Sequence, residues 1–134
     1  MNEMQIEINH VAASVSSLDE SIAWYGRVLD LDLEQRFQIP GHPVEVAVLC
    51  RDGLRVELFE AVGSEPIPAS QRDPDLSFFT QGYRHIALSV PDVHAAADAL
   101  RARGADIVWV RDFDFGSRAF IRDNSGNLIE FVGK

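Results

Sequence analysis

Apolar and polar side chains alternate along residues 82–92, and this pattern predicts a short strand that stops at Pro91. Successive side chains of a strand point to opposite faces of its sheet. One face of this strand is apolar, with Ile86, Leu88 and Val90. The other face is small and semi-polar, with His85, Ala87 and Ser89. A histidine is therefore expected opposite the packed face, and its role depends on the side chains that share that face.

The same pattern occurs earlier in the chain. His10 matches His85 at an offset of 75 residues, and the side chains after each histidine alternate in the same way. Glu57 matches Glu130 at an offset of 73 residues, each inside a short apolar stretch. Two matches at nearly one offset indicate an internal duplication.

The first half is predicted to run strand, helix, strand, strand, strand. A helix begins after Ser17, which forms a capping-box pattern with Glu20, and ends near Asp30. An apolar stripe at helical spacing runs along it. The predicted strands cover residues 5–15, 31–38, 44–50 and 54–60. Asp52 and Gly53, between the last two strands, are typical of a tight hairpin turn.

The second half repeats this order, with strands over 82–90, 105–110, 117–123 and 128–132 and a helix capped by Asp92. We therefore predict an α+β fold, a single domain over residues 1–134 made of two tandem βαβββ modules. The modules cover residues 5–60 and 81–134, and a segment rich in Pro and Gly over 61–80 forms a linker or lid. Each sheet would pack one face on its helix, and the other faces would form a curved, mostly antiparallel sheet around a central trough.

Composition excludes several classes of partner and suggests a location. A formal charge of −9 argues against nucleic acid and anionic membranes as partners. Cys50 is the single cysteine, so a disulfide framework is not expected and a reducing compartment fits. The sequence shows neither a signal-peptide pattern nor an apolar run of membrane-spanning length, so we expect a cytoplasmic protein.

Alternation places His10, Glu57, His85 and Glu130 on the trough faces, and a twofold relation between the halves would bring them together. Two carboxylates in a shielded trough repel each other unless one takes a proton or a cation compensates them. A divalent cation with two imidazole and two carboxylate ligands removes this cost. Such mixed nitrogen and oxygen ligands suit Ni, Co, Mn, Fe or Zn.

Taken singly, these residues have simpler interpretations. A single strand histidine is more often an ordinary core or surface residue, and Glu57 alone would pair with Arg55 or face solvent. His42 and His94 lack matching partners and are assigned no role. Trp24 and Tyr25 are expected in the core. The duplication of the whole set is what favours a metal site.

These motifs resemble the vicinal oxygen chelate superfamily, which includes glyoxalase I, methylmalonyl-CoA epimerase, extradiol dioxygenases and the bleomycin and fosfomycin resistance proteins. The resemblance covers nearly the whole chain and rests on the segments 9–11, 17–25, 56–58, 85–90, 119–123 and 126–130. Where the superfamily often has Asp-Pro-Asp-Gly, this chain has Asp-Asn-Ser-Gly at 123–126. That turn carries no ligands in the superfamily, so the change leaves the expected site intact.

The resemblance implies metal ligands at His10, Glu57, His85 and Glu130. A full set of four is similar to the lyase and isomerase branch, resembling lactoylglutathione lyase or methylmalonyl-CoA epimerase. The implied reaction removes a proton next to a carbonyl of a small substrate with adjacent oxygens. Glu130, or secondly Glu57, would act as the general base. Tyr83, Arg118 and Arg122 are further predicted substrate contacts.

Two alternatives stay open at this point. A ring-cleaving extradiol dioxygenase would hold Fe(II) on His10, His85 and Glu130 and leave Glu57 without a metal. A non-catalytic protein of the same fold would bind a planar or drug-like ligand in the trough, and the acidic charge would suit a cationic one such as bleomycin. We also expect a homodimer, because each half is small for a core of its own, and in the superfamily the halves pair within a chain or across subunits.

Overall fold

A computed structural model describes residues 3–134 of the chain. Within these residues the strands are β1 (Val11–Ser14), β2 (Asp32–Gln38), β3 (Val44–Arg51), β4 (Leu54–Ala61), β5 (His85–Val90), β6 (Asp106–Phe113), β7 (Gly116–Arg122) and β8 (Leu128–Gly133). The α-helices are α1 (Leu18–Leu29) and α2 (Val93–Ala102). Over the same part of the chain, neither helix is long and apolar enough to cross a membrane.

The strands form two four-stranded sheets with the same topology. Their strand orders are β1-β4-β3-β2 and β5-β8-β7-β6. In each sheet the first strand pairs in parallel with the last, and the other neighbours are antiparallel. The α+β fold of two βαβββ modules predicted from the duplication is confirmed.

Local chemistry fixes the ends of both helices. Ser17 Oγ accepts a hydrogen bond from Glu20 N at 3.3 Å at the start of α1, and Asp30 closes the helix in the left-handed region with φ 57°. At the start of α2 the Asp92 carboxylate accepts from Ala95 N at 3.0 Å. Gly104, which follows the end of α2, has φ 86°, a value that a residue without Cβ adopts at little cost.

Each helix covers one face of its own sheet. The largest fully buried side chains are Leu18, Leu49, Leu58, Ile121 and Ile129, and the helix-facing residues of both halves join one apolar cluster. We call the opposite, helix-free side of each sheet its open face. Strand alternation places polar and functional side chains on these open faces.

A buried hydrogen bond joins the two halves. The Tyr25 hydroxyl on α1 donates to Asp123 Oδ2 at 2.7 Å, and Asp123 lies at the end of β7. Both residues are buried. Burial and the neighbouring Asp123 carboxylate raise the pKa of Tyr25 well above its usual value. Tyr25 lies in the core, as predicted, and it also connects the halves.

The segment between β4 and β5 contains two short 3-10 turns, Ala69–Arg72 and Ser77–Phe79. Asp75 accepts two hydrogen bonds of 2.9 Å from Arg111 on β6. Arg122 Nε on β7 donates to the backbone oxygen of Arg72 at 2.7 Å. These bonds tie the connecting segment to the second sheet.

The first predicted strand was too long. It was expected over 5–15, but β1 covers only Val11–Ser14 and the residues before it are exposed. The reason is that β1 pairs with β4 alone, and their ladder begins at Val11 opposite Val56. Similarly, β5 begins at His85 rather than at residue 82, and β6 extends to Phe113 rather than 110.

Candidate functional site

The first histidine–glutamate pair lies on the open face of the first sheet. His10 directly precedes β1, and Glu57 on β4 lies opposite Ala12 in the parallel ladder. His10 Nδ1 is 3.1 Å from Glu57 Oε2 and 2.7 Å from Asn9 Oδ1. Because two acceptor oxygens approach the same ring nitrogen, the hydrogen-bond network assigns a proton to Nδ1, and a cation bound between His10 and Glu57 would replace this proton.

The second pair occupies the matching place on the second sheet. His85 begins β5, and Glu130 on β8 lies opposite Ala87. His85 Nε2 is 3.3 Å from Glu130 Oε1. His85 Nδ1 is buried and has no hydrogen-bond partner among residues 3–134, and the ring meets the edge of Phe120 with centroids 5.0 Å apart. The two pairs thus use different ring nitrogens, so the duplication is not exact at the atomic level.

The spacing within each pair fits two neighbouring ligands of one cation. Ligand atoms about 2.1 Å from a metal are separated by about 3.0 Å in octahedral and about 3.4 Å in tetrahedral geometry. The observed N···O distances of 3.1 and 3.3 Å lie in this range. The donor types also fit, because imidazole nitrogen and carboxylate oxygen are ligands for Zn, Ni, Co, Mn and Fe.

The structure does not bring all four predicted ligands together in one chain. Among residues 3–134, no group of three or more His, Cys, Asp or Glu side chains is arranged to hold a metal ion. Each sheet therefore presents one histidine–glutamate pair. His10 and His85 both line a largely apolar cavity of about 560 Å³ between the two halves, a size that small organic ligands occupy, whereas Glu57 and Glu130 do not line it.

Other titratable residues lie away from these pairs. His94 Nε2 on α2 is 2.7 Å from Asp112 Oδ1, and this hydrogen bond raises the pKa of His94. Cys50 Sγ donates to Glu34 at 3.2 Å, and this hydrogen bond raises the pKa of the thiol. A thiol held in its protonated form is a poor nucleophile.

Aromatic and arginine side chains surround the second pair on the same open face. We call this set the aromatic–arginine patch, and its members are Trp109, Phe113, Phe115, Arg118 and Phe120. Phe120 contacts both His85 and Trp109, with ring centroids 5.0 Å apart in each case. Sequence alternation along β7 marks Arg118 and Phe120 as sharing a face. The bulge between Ile107 and Trp109 hides the same signal on β6.

A known protein family matches nearly the whole chain. The family model of the glyoxalase/bleomycin resistance protein/dioxygenase superfamily matches residues 7–131. The chain belongs to this superfamily. The resemblance found in the sequence motifs is confirmed. The matched range includes both histidine–glutamate pairs and the whole aromatic–arginine patch.

Superfamily relatives with curated names are epimerases and a lyase. The chain is 29% identical to an ethylmalonyl-CoA/methylmalonyl-CoA epimerase of Cereibacter sphaeroides, covering 92% of this chain and 94% of the relative. It is 28% identical to a lactoylglutathione lyase of Haemophilus influenzae, covering 95% and 92%. It is 27% identical to the human mitochondrial methylmalonyl-CoA epimerase over 72% of this chain, and the match spans only 53% of the human protein.

A solved superfamily structure has the same fold. The glyoxalase family protein from Enterococcus faecalis superposes with a TM-score of 0.79 over 94% of this chain and 96% of that chain, at 23% sequence identity. This likeness supports the architecture of two βαβββ modules. The reaction has to be argued from the site.

Proposed function

We propose that the protein is a divalent-metal-dependent lyase or isomerase of the glyoxalase type, acting on a small substrate with two adjacent oxygens. The observation that carries the proposal is the ligand-like spacing of two matching pairs, 3.1 Å for His10 with Glu57 and 3.3 Å for His85 with Glu130. The lyase and epimerase names of the full-length relatives support this class of reaction.

The proposed metal site needs both pairs. Catalytic zinc sites, for example, keep about three protein ligands and an open position, and two ligands alone hold a cation weakly. Within residues 3–134 the two pairs do not form one group. The site is therefore proposed to form between two copies of the chain, from the first pair of one protomer and the second pair of its partner.

The edges of the sheets support this assembly. Strands β1 and β5 each lie at the edge of their sheet. Ile6 and Ile8, just before β1, are 80% and 84% exposed. Alternating apolar side chains beside an unpaired sheet edge favour pairing with another strand. In a twofold dimer such pairing occurs twice and would create two identical sites.

The residues of the chain supply proton transfer in this proposal. Bound at the site, a divalent cation would stabilise negative charge that develops on the substrate oxygens. Glu130 accepts the proton from the carbon next to the carbonyl, and the electrons of the broken C–H bond move onto the carbonyl oxygen. Return of this proton from Glu130 to the neighbouring carbon, with the hydroxyl proton passing from one substrate oxygen to the other, gives the lyase-type product. Donation of a proton to the opposite face of the original carbon, from a protonated Glu57, gives the epimer, and the two carboxyl groups then exchange their protons with solvent.

Metal analysis tests the ligand set. The purified protein is expected to bind about one divalent ion per chain, as a twofold dimer with two sites requires. His85→Ala should lose most of this metal, because the variant removes a ligand of every site. His42→Ala, which changes a loop histidine with no predicted role, should keep it. Unchanged metal content in His85→Ala would contradict the site.

Mixing two inactive variants tests whether the site forms between chains. Glu57→Gln and Glu130→Gln homodimers should both be inactive. After unfolding and joint refolding at equal amounts, half of the dimers are mixed, and each holds one intact site, so about a quarter of the wild-type activity should return. A site formed within one chain would give no recovery, and that result would overturn the shared site.

The reaction class is tested with two substrates. A hemithioacetal tests lyase chemistry, and a chiral acyl-CoA thioester tests epimerisation. Turnover of either by the metal-loaded protein supports the proposal, and failure of both would remove it. Oxygen uptake with a catechol would instead favour the dioxygenase, in which Glu57 is not a ligand. Ligand binding that persists without metal or turnover would favour the non-catalytic binder.

A further inference from the structure

Arg118 is the feature of the site that metal binding does not explain. It lies on β7, on the open face of the second sheet, and its side chain is only 21% exposed. Its Nε is 3.9 Å from Glu130 Oε2, which is too far for a hydrogen bond. In the described residues its guanidinium makes one hydrogen bond, from Nη1 to the Ser117 carbonyl at 2.9 Å.

The other arginines of this face, Arg111 and Arg122, already have carboxylate partners in Asp75 and Asp106. Arg111 donates two hydrogen bonds of 2.9 Å to the Asp75 carboxylate, and its guanidinium lies 4.1 Å from the Trp109 ring centroid. A bidentate pair of this kind uses the fork of an arginine and compensates its charge. Arg118 has no such bidentate partner, because the Glu130 carboxylate at 3.9 Å forms an ion pair with it but accepts no hydrogen bond from it. The remaining N–H donors of Arg118 are therefore available to a bound anion.

The surroundings of Arg118 are flat and apolar. Its guanidinium lies 5.0 Å from the ring centroid of Phe115. Phe115 stacks on Phe113 with centroids 4.8 Å apart and an angle of 5° between the rings. Phe115 is 70% exposed, and Phe120 connects the patch to His85. Exposed stacked rings beside a proposed reaction centre indicate a surface that a ligand covers.

We propose that Arg118 and the aromatic–arginine patch bind the substrate through an oxyanion, such as a carboxylate, attached to a planar or apolar group. This inference rests on the proposed function in that the patch adjoins Glu130, the proposed base. Arg118 acts here as a specificity-determining residue. Its charge repels cations, so the patch disfavours a cationic, bleomycin-like ligand in spite of the net charge of −9.

Benzoate and benzamide are matched probes, because they share a ring and differ in charge. The chain has two tryptophans, so the indole N–H signals of Trp24 and Trp109 are easily followed by NMR, and Trp109→Phe assigns them. Benzoate should shift the Trp109 signal in a saturable way and leave the buried Trp24 unchanged. Benzamide and benzamidinium should bind at least about tenfold more weakly, which corresponds to one charge-assisted contact.

Variants separate the charge from the aromatic surface. Arg118→Gln should weaken benzoate binding about tenfold, and Arg118→Lys should restore only part of it because lysine lacks the planar fork. Arg101→Gln, which removes an equal charge from exposed α2, should change nothing. Phe115→Ala should weaken benzoate but not acetate. Thermal unfolding checks that each variant is folded.

The outcomes decide the inference independently of catalysis, since neither metal nor turnover is needed. Equal affinity for benzoate and benzamide, tighter binding of benzamidinium, or unchanged binding in a folded Arg118→Gln protein would overturn it. If benzoate binds as expected but the two substrate assays fail, the anion subsite stands and the proposed reaction falls. If the assays succeed but benzoate does not bind as expected, the proposed reaction stands and the anion subsite falls.

Discussion

Tyr25→Phe tests the buried contact between the two halves. The substitution keeps the ring and removes only the hydroxyl that donates to Asp123 Oδ2 at 2.7 Å. A hydrogen bond to a charged group contributes about 1.5–3 kcal/mol, and a buried acceptor left without a partner adds to the loss. Asp123 would still accept from Ser125 N and from the backbone and side-chain nitrogens of Asn127, each at 2.9 Å. The carboxylate is not orphaned, so we expect a loss of about 1.5–2 kcal/mol.

Urea unfolding and calorimetry measure this loss. For a chain of 134 residues, each kcal/mol shifts the thermal midpoint by about 3–5 °C, so the midpoint should fall by about 5–9 °C. The urea m-value should not change, because the surface exposed on unfolding stays the same. Tyr83→Phe is the matched control, since Tyr83 is the other tyrosine and is fully exposed.

The pH dependence gives a second test of the same contact. Burial, and then Asp123, raise the pKa of Tyr25 in the folded state. The unfolded phenol loses its proton near pH 10, so above this pH the unfolded state binds fewer protons than the folded state. Stability therefore falls as the pH rises from about 10 towards the folded pKa, by up to about 1.4 kcal/mol per unit. Tyr25→Phe should remove this contribution.

Two results would refute the reasoning. A Tyr25→Phe protein within about 0.5 kcal/mol of the wild type would mean that the hydroxyl does not support the fold. An alkaline slope that is the same in both proteins would mean that the phenol is not protected by burial. A double-mutant cycle with Asp123→Asn should show coupling well above the error, since the two side chains touch.

Two further predictions concern backbone geometry and pH. Gly126→Ala should destabilise more than Gly53→Ala: both residues have positive φ, but a Cβ at 126 would lie 2.5 Å from Arg72 Cδ, whereas one at 53 meets nothing within 4 Å. Equal losses in urea unfolding would contradict the contact. The hydrogen bond with Asp112 raises the pKa of His94, so its stabilisation is full below about pH 6.5 and is lost as pH rises through the folded pKa. His94→Gln should reduce the change of the thermal midpoint with pH between about pH 6 and 8. An unchanged pH profile would exclude the His94–Asp112 pair as the cause of the pH dependence.

Local patterns predicted the elements well wherever a short-range signal determines the structure. Ser17 and Asp92 cap the helices that they were expected to cap. Asp52 and Gly53 form the tight turn with positive φ at both residues. The strand over residues 5–15 failed because strand length depends on a neighbouring strand, and β4 faces β1 only from Val56 onwards. Which strands pair depends on the tertiary structure, and the alternation of side chains along one strand does not predict it.

The two histidine–glutamate pairs could be predicted from the sequence, but the arrangement of one pair relative to the other could not. Alternation and duplication placed His10 near Glu57 and His85 near Glu130. The relation between the halves depends on side-chain packing such as the bond from Tyr25 to Asp123, which links positions 98 residues apart. The periodicity of apolar residues along the sequence does not predict a contact between residues so far apart. Whether the two pairs come together within one chain was therefore left open by the sequence, and among residues 3–134 they do not form one group.

The two open faces differ in a way that bears on recognition. In the ladders, Val48 lies opposite the first glutamate and Phe120 opposite the second, so these positions correspond. Two residues before these positions on each strand, Val46 corresponds to Arg118. The duplication has thus kept the histidine–glutamate pairs, while these two corresponding positions hold aliphatic side chains beside the first pair and an arginine and an aromatic ring beside the second. A cation held between equivalent pairs would see nearly symmetric ligands, but at these two positions a substrate would meet an arginine and a phenylalanine on one side and two valines on the other. This asymmetry is what would hold a small molecule in one orientation, with its reacting carbon towards Glu130 rather than Glu57.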